Sequence, residues 1–141
     1  MSQVETYDPK KVFVIVGGQH ITGFQDGSMV SVERNEDAWT LQMGTDGFGT
    51  RSKSNNRSGR ITINLMQTSA SNLVLSNLAQ LDELGNGGVV EVMVQDSNGK
   101  SLHVMQQAWV VKRPSAEYGK EATNREWIFE SAELEHTVGG N

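Results

Sequence analysis

Apolar and polar residues alternate with a period of two along most of this chain, the pattern of strands that bury one face. Lys11–Val16 is a short apolar run ending at Gly17-Gly18, after which His20 and Ile21 resume it, so the pattern predicts a hairpin with a Gly-Gly turn. Met29–Glu33 alternates, and so does Trp39–Met43, which places Trp39, Leu41 and Met43 on one face. Gly44-Thr45-Asp46-Gly47 then supplies a turn, with Asp-Gly as the hairpin signal. Beyond Phe48 the alternation continues in polar letters, with Thr50, Ser52 and Ser54 on one side and Arg51 and Lys53 on the other. The stretch GTRSKSNNRSG is therefore expected to belong to a long polar hairpin rather than to a formless loop. A second turn, Asn55 to Gly59, leads into Ile61–Leu65.

Between Ser71 and Leu84 the period changes. Val74, Leu78, Leu81 and Leu84 recur at helical spacing, flanked by Leu73 and Leu75, which predicts a helix laying this stripe on a sheet. Ser69 or Ser71 can cap its start, and Gly85 can take the left-handed angle that ends it. Val89–Gln95 is then expected to pair with Leu102–Gln107 across a turn signalled by Asn98-Gly99. Trp109–Lys112 follows, ended by Pro114, and a loop through Tyr118-Gly119 leads to Trp127-Ile128-Phe129 and Leu134. The expected fold is mostly β, of the α+β kind: one domain over residues 1–141, a β-sandwich with a long β-hairpin and one flanking helix at about 71–84.

Composition agrees. Leu, Ile, Val and Phe make up 33 of the 141 residues, above the level of roughly 20% of a chain below which disorder becomes the default. Fifteen of those are valines, whose branched side chains suit a pleated surface. The net charge of −5 argues against a general nucleic-acid binder. There is no cysteine, which removes disulfides and thiolate chemistry. The opening MSQVETYDPKK lacks the apolar core of a signal peptide, and no apolar run reaches the length of a membrane span.

Candidate chemistry is sparse. His20, His103 and His136 are not spaced as metal ligands, and His103, inside a strand, is expected to be structural or superficial. No nucleophile elbow, phosphate loop or dinucleotide fingerprint occurs, and the adjacent acids Glu36 and Asp37 fit a solvated face. An enzyme is not expected. Arg51, Lys53, Arg57 and Arg60 could grip a nucleic acid, but only Phe48 is near enough to act as a stacking platform. The remaining option is a contact between copies: acids at Glu33, Glu36 and Asp37 precede the hairpin and bases lie on it, an arrangement that suits head-to-tail association. Alternatively these charges pair within the chain or sit in water.

SVERNEDAW (31–39), GTDG (44–47) and TRSKSNNRSGRITINLMQTSASN (50–72) together resemble a family of tail tube proteins from contractile-tailed bacteriophages. GKEATNREWIFESAEL (119–134) and YDPKKVFVIVGGQHITGF (7–24) are similar to the same family, so the resemblance runs from about Tyr7 to Gly139. It implies a six-subunit ring built on a β-sandwich or rolled barrel. Rings stack into a hollow tube inside a contractile sheath, and DNA passes through the lumen without specific binding. The long hairpin, here Trp39 to Arg60, would bind adjacent subunits and rings. The interface would thus draw on Trp39, Leu41, Met43 and Phe48, the bases Arg51, Lys53, Arg57 and Arg60, and the acids Glu33, Glu36 and Asp37. Implied partners are further copies and the sheath, tape measure, baseplate and tail terminator proteins, with no cofactor, metal or membrane insertion. The implied location is the virion tail, with assembly in the host cytoplasm. An inner-tube or carrier protein of a secretion system or bacteriocin-like particle, or a nucleic-acid-binding module, are the alternatives.

Overall fold

The structure is a computed structural model describing residues 3–140. Met1 and Ser2, at the head of MSQVETYDPKK, and Asn141, at the far bound of the expected domain, lie outside the described residues. In chain order the described elements are β1 (Val12–Val16), β2 (Gln19–His20), β3 (Val30–Arg34), β4 (Trp39–Met43), β5 (Gly49–Lys53) and β6 (Gly59–Met66). Then come α1 (Ser71–Gly85), β7 (Val90–Asp96), β8 (Leu102–Lys112), β9 (Asn124–Ser131) and β10 (Glu135–Thr137). The mostly-β expectation with one helix is borne out.

Eight strands form one antiparallel sheet in the order β2-β1-β7-β8-β9-β6-β3, with β10 added to β8 on the side away from β7. Alternation decides which side chains are inside. In β6, Gly59, Ile61, Ile63 and Leu65 point inward, and in β9 Arg125, Trp127, Phe129 and Ser131 do. Val14 and Val16 of β1 and Val92 and Val94 of β7 join them, so the sheet curls round a single core. A fully buried side chain of this size contributes about 1.5–3 kcal/mol by leaving water. Leu134 is drawn into the same core by Gly59, at which any added Cβ would run into the Leu134 side chain.

The sheet rolls but does not close into a barrel. β3 and the β1–β2 hairpin remain as separate borders, linked only by the segment between them, where Ile21 N–H donates to Val14 O and Phe24 bridges Leu65. An apolar groove of about 560 Å³ lies along the β1 side of this opening, with Val12, Phe13, Ile21, Phe24 and Met29 in its walls.

Several local expectations change. Gly17 and Gly18 take φ of 57° and 82°, as the two-residue hairpin turn requires. The turn expected at Asp96–Gly99 joins β7 to β8, with Gly99 N–H donating to Asp96 O at 3.3 Å, but neither Asn98 nor Gly99 takes a positive φ. The Asn98 amide also accepts from Asp8 N–H and donates to Asp8 O, both at 2.9 Å, which ties down the N-terminal segment. The expected strands Leu102–Gln107 and Trp109–Lys112 are one strand, β8, carrying a bulge. Val92 faces Met105 and Val90 faces Ala108, so Gln106 and Gln107 together oppose Glu91, and Met105 and Ala108 both reach the core.

The helix needs the largest correction. Its buried stripe is Ser71, Leu75 and Ala79, with Leu78 packed at the margin, while Leu73, Leu81 and Leu84 are exposed. Leucines lie on several faces of this helix, and the sheet accepts the one that also carries the small residues Ser71 and Ala79. The residue at the N-cap is Ala70, and Ser69 Oγ accepts the Ser71 N–H from one position further out. Asn86, not Gly85, takes the left-handed angle at the C-terminus, with φ 59°.

Candidate interaction surface

Among the described residues β4 and β5 pair only with each other, and every residue of both strands is exposed. Their register sets Trp39 opposite Lys53, Leu41 opposite Arg51 and Met43 opposite Gly49. Directly opposed residues share a face, so the apolar and the basic side chains stand together, with Thr40, Gln42, Thr50 and Ser52 on the reverse. The guanidinium of Arg51 lies 3.8 Å from the centre of the Trp39 ring, a cation–π contact worth about 0.5–1 kcal/mol at an exposed site. Leu41 is 68% exposed, Met43 62%, and Phe48, on the connecting turn, 75%. Apolar surface this open, on a two-stranded unit left uncovered by the other described residues, is surface left for a partner.

The charged residues divide. Arg57 pairs with Glu133 at 3.1 Å and Arg60 with Glu130 at 2.6 Å, both within the chain. Arg34 grips the same segment, donating from Nε and Nη2 to Leu134 O at 3.2 and 2.8 Å. The hydrogen bonds that Arg60 donates to Glu130, with the charge of Glu130 and that of Glu33 opposite, move the Arg60 pKa further up. Arg57, Arg60 and Glu33 thus belong to the root of the hairpin. Glu36 accepts from Ser54 Oγ at 3.1 Å, whereas the side chains of Lys53 and Asp37 have no hydrogen-bond or ion-pair partner among the described residues.

The outer faces of the rolled sheet were not distinguished by the sequence, and they differ in chemistry. Across β3, β6, β9 and β8 one outward row reads Glu33, Arg60, Glu130, Trp109, and the next Ser31, Thr62, Ile128, Lys112. Across β1, β7, β8 and β10 one row reads Ile15, Met93, Val104, Glu135, and the next Phe13, Gln95, Leu102, Thr137. The first face is polar and the second mostly apolar. Period-two alternation identifies outward positions, but only the strand order shows which of them are neighbours.

The structure also joins two histidines that the sequence keeps apart. His103 and His136 are register partners across β8 and β10, with Nδ1 atoms 2.6 Å apart. Burial, and then the neighbouring His136, hold His103 below its ordinary value of 6.5. Among the described residues no group of three or more potential metal ligands occurs, and no helix is long and apolar enough to cross a membrane.

An open, rolled sheet with unpaired borders and a detached amphipathic hairpin defines a β-rich structural protein with surface left for other chains. The chain belongs to the tail tube family described as "Bacteriophage PhiTE tail tube protein", which it matches over residues 12–139. It is thus a phage structural protein, not an enzyme. It is 32% identical, over 147 aligned residues, to "Structural protein ORF10" of Pseudomonas phage KPP10, covering 99% of this chain and 85% of that one. Solved structures that share its fold include two at low sequence identity. One is the sheath/tube terminator of the extracellular contractile injection system PVC, with TM-score 0.61, 12% identity and coverage of 97% and 100% of the two chains. The other is a chain from the virion of a native gene transfer agent particle, with TM-score 0.61, 16% identity and coverage of 94% and 100%. A tail tube is an assembly, so the working form is many subunits alongside other tail proteins.

Proposed function

We propose that the whole chain, residues 1–141, is a single tail-tube domain that assembles into six-membered rings. The rings stack into a hollow tube inside a contractile sheath, and DNA travels along the lumen at ejection. The observation that carries this reading is the family match from residue 12 to residue 139, which spans the rolled sheet, the helix and the hairpin together. The unpaired sheet borders support it, because closing a ring of copies removes edges that a lone sheet leaves exposed. The acidic balance of the chain supports passage over retention, since each phosphate contact would add affinity for the moving polymer.

Subunit contact falls to Trp39, Leu41, Met43 and Phe48 with Arg51 and Lys53, and to the acids Glu36 and Asp37 beside them. Arg57, Arg60 and Glu33 contribute as the internally paired root of the same surface. Sheath, tape measure, baseplate and terminator proteins complete the particle, which is put together in the host cytoplasm. Electron microscopy of concentrated protein, alone and with a baseplate initiator, tests this, together with the state of the protein in disrupted particles. Six-fold rings or tubes of uniform width are expected. Single unassociated chains in both preparations would overturn the reading.

A further inference from the structure

Two apolar surfaces of this chain are left uncovered, and their charges are opposite. The hairpin face carries Trp39, Leu41 and Met43 with the bases Arg51 and Lys53. The outward face of β1, β7, β8 and β10 carries Phe13, Ile15, Met93, Leu102 and Val104, and Phe13 stacks edge-on against His20. Its carboxylates are Glu91, on the Met93 side of β7, and Glu135, at the end of the Ile15-Met93-Val104 row. Both are exposed, and neither side chain has a hydrogen-bond or ion-pair partner among the described residues. Of the acids nearest the hairpin in sequence, Glu33 acts on Arg60, Glu36 accepts from Ser54 and Asp46 accepts from Phe48 N–H within the turn, which leaves Asp37 at the root as the one without a partner among the described residues.

We propose that the hairpin face of one copy packs on the β1–β7–β8–β10 face of another, with Arg51 and Lys53 directed to Glu91 and Glu135. This deepens the tube reading and rests on it. The occupant is a second copy because the two surfaces complement each other in both apolar character and charge, and among the described residues the two hairpin strands pair with no other strand. Two sheet faces stack at about 10 Å, close enough for the apolar rows to interdigitate. The contact joins two different patches, so it is head-to-tail: each copy gives a hairpin to one neighbour and receives one from another, which closes a ring or continues a stack. The stacking of Arg51 on Trp39 holds that cation over the apolar face before contact, which limits the side-chain freedom lost on docking. The ion pairs set register and exclude wrong partners, while the apolar rows supply most of the association.

A charge exchange tests it, read by sedimentation and electron microscopy, with circular dichroism to confirm folding. Arg51→Glu with Lys53→Glu is expected to raise the concentration at which tubes form by at least about tenfold, because like charges then meet in the contact. Glu91→Lys with Glu135→Lys is expected to do the same. Combining all four substitutions should restore assembly to near the wild-type level. A four-fold variant no better than either half, or either half assembling like wild type, would overturn the contact while leaving the tube reading intact. Wild-type chains that never associate would overturn both. The absence of native cysteine allows a second readout that does not depend on charge. Chains carrying Leu41→Cys, mixed with chains carrying Val104→Cys, should be joined by a short bis-maleimide in assembled tubes. No mixed product would count against the docking.

Discussion

His103 and His136 face each other across β8 and β10 with their Nδ1 atoms 2.6 Å apart, so one ring carries a proton on that nitrogen and the other does not. Protonating both would set two cations against each other at the join between the C-terminal strand and the sheet. Desolvation holds the His103 pKa below 6.5, with the charge of His136 adding to it. Glu135 points to the other face of β10. Because the folded value is depressed, the unfolded chain takes up protons first as pH falls. The contribution of neutral His103 is therefore fully present above about pH 6.5 and is lost below it. Urea midpoints measured from about pH 8 to pH 5 should fall on the acid side. His103→Gln should flatten that slope, and an unchanged slope would refute the assignment.

Leu75 and Leu84 lie nine positions apart on one helix and should behave oppositely. Leu75 is fully buried, so Leu75→Ala is expected to cost about 2–5 kcal/mol in denaturant unfolding. Leu84 is 78% exposed, and Leu84→Ala should change stability by no more than about 0.5 kcal/mol. Equal losses would show that the helix buries the other stripe.

At Gly59 a methyl group has no room. Gly59→Ala would drive its Cβ into the Leu134 side chain, and the expected destabilisation is about 1–3 kcal/mol. Combining it with Leu134→Ala should recover part of that loss, since the overlap is with the leucine itself. Thermal unfolding of the two singles and the double gives the comparison.

Arg57 and Glu133 meet with both side chains more than half exposed. Their coupling in a double-mutant cycle is expected to be about 0–1 kcal/mol and to shrink with salt. Arg60 and Glu130 are less exposed, and both Nε and Nη2 of the arginine reach one carboxylate oxygen. That pair should show the larger coupling of the two and the weaker salt dependence.

The parts legible in the sequence are those fixed by neighbours in the chain. The hairpin from Trp39 to Lys53 has its strands and its turn within fifteen consecutive residues, and its pattern suffices to place them. The division of its charges was not legible, because Glu130 and Glu133, which take Arg60 and Arg57, lie about seventy residues further on. The pairing of His103 with His136 was hidden likewise, since β10 is three residues long and carries no pattern of its own. The helix itself is legible but its buried side is not, because leucine spacing alone cannot choose among several apolar stripes. The uncovered face formed by Phe13, Ile15, Met93, Leu102 and Val104 comes from three segments, brought together only by the strand order.

β8 has its own arithmetic. Before the paired glutamines, an odd-numbered residue, Met105, faces inward; after them, an even-numbered one, Ala108, does. Removing either glutamine would leave a single residue opposite Glu91 and set Met105 and Ala108 two positions apart, the spacing at which an unbulged strand keeps both side chains inward. Removing both would make Met105 and Ala108 neighbours and turn one end of the strand inside out, because a shift of one residue reverses every side chain beyond it. The strand can thus lose one residue here by straightening, whereas a second loss has to be matched by a compensating insertion before β9 can pair again.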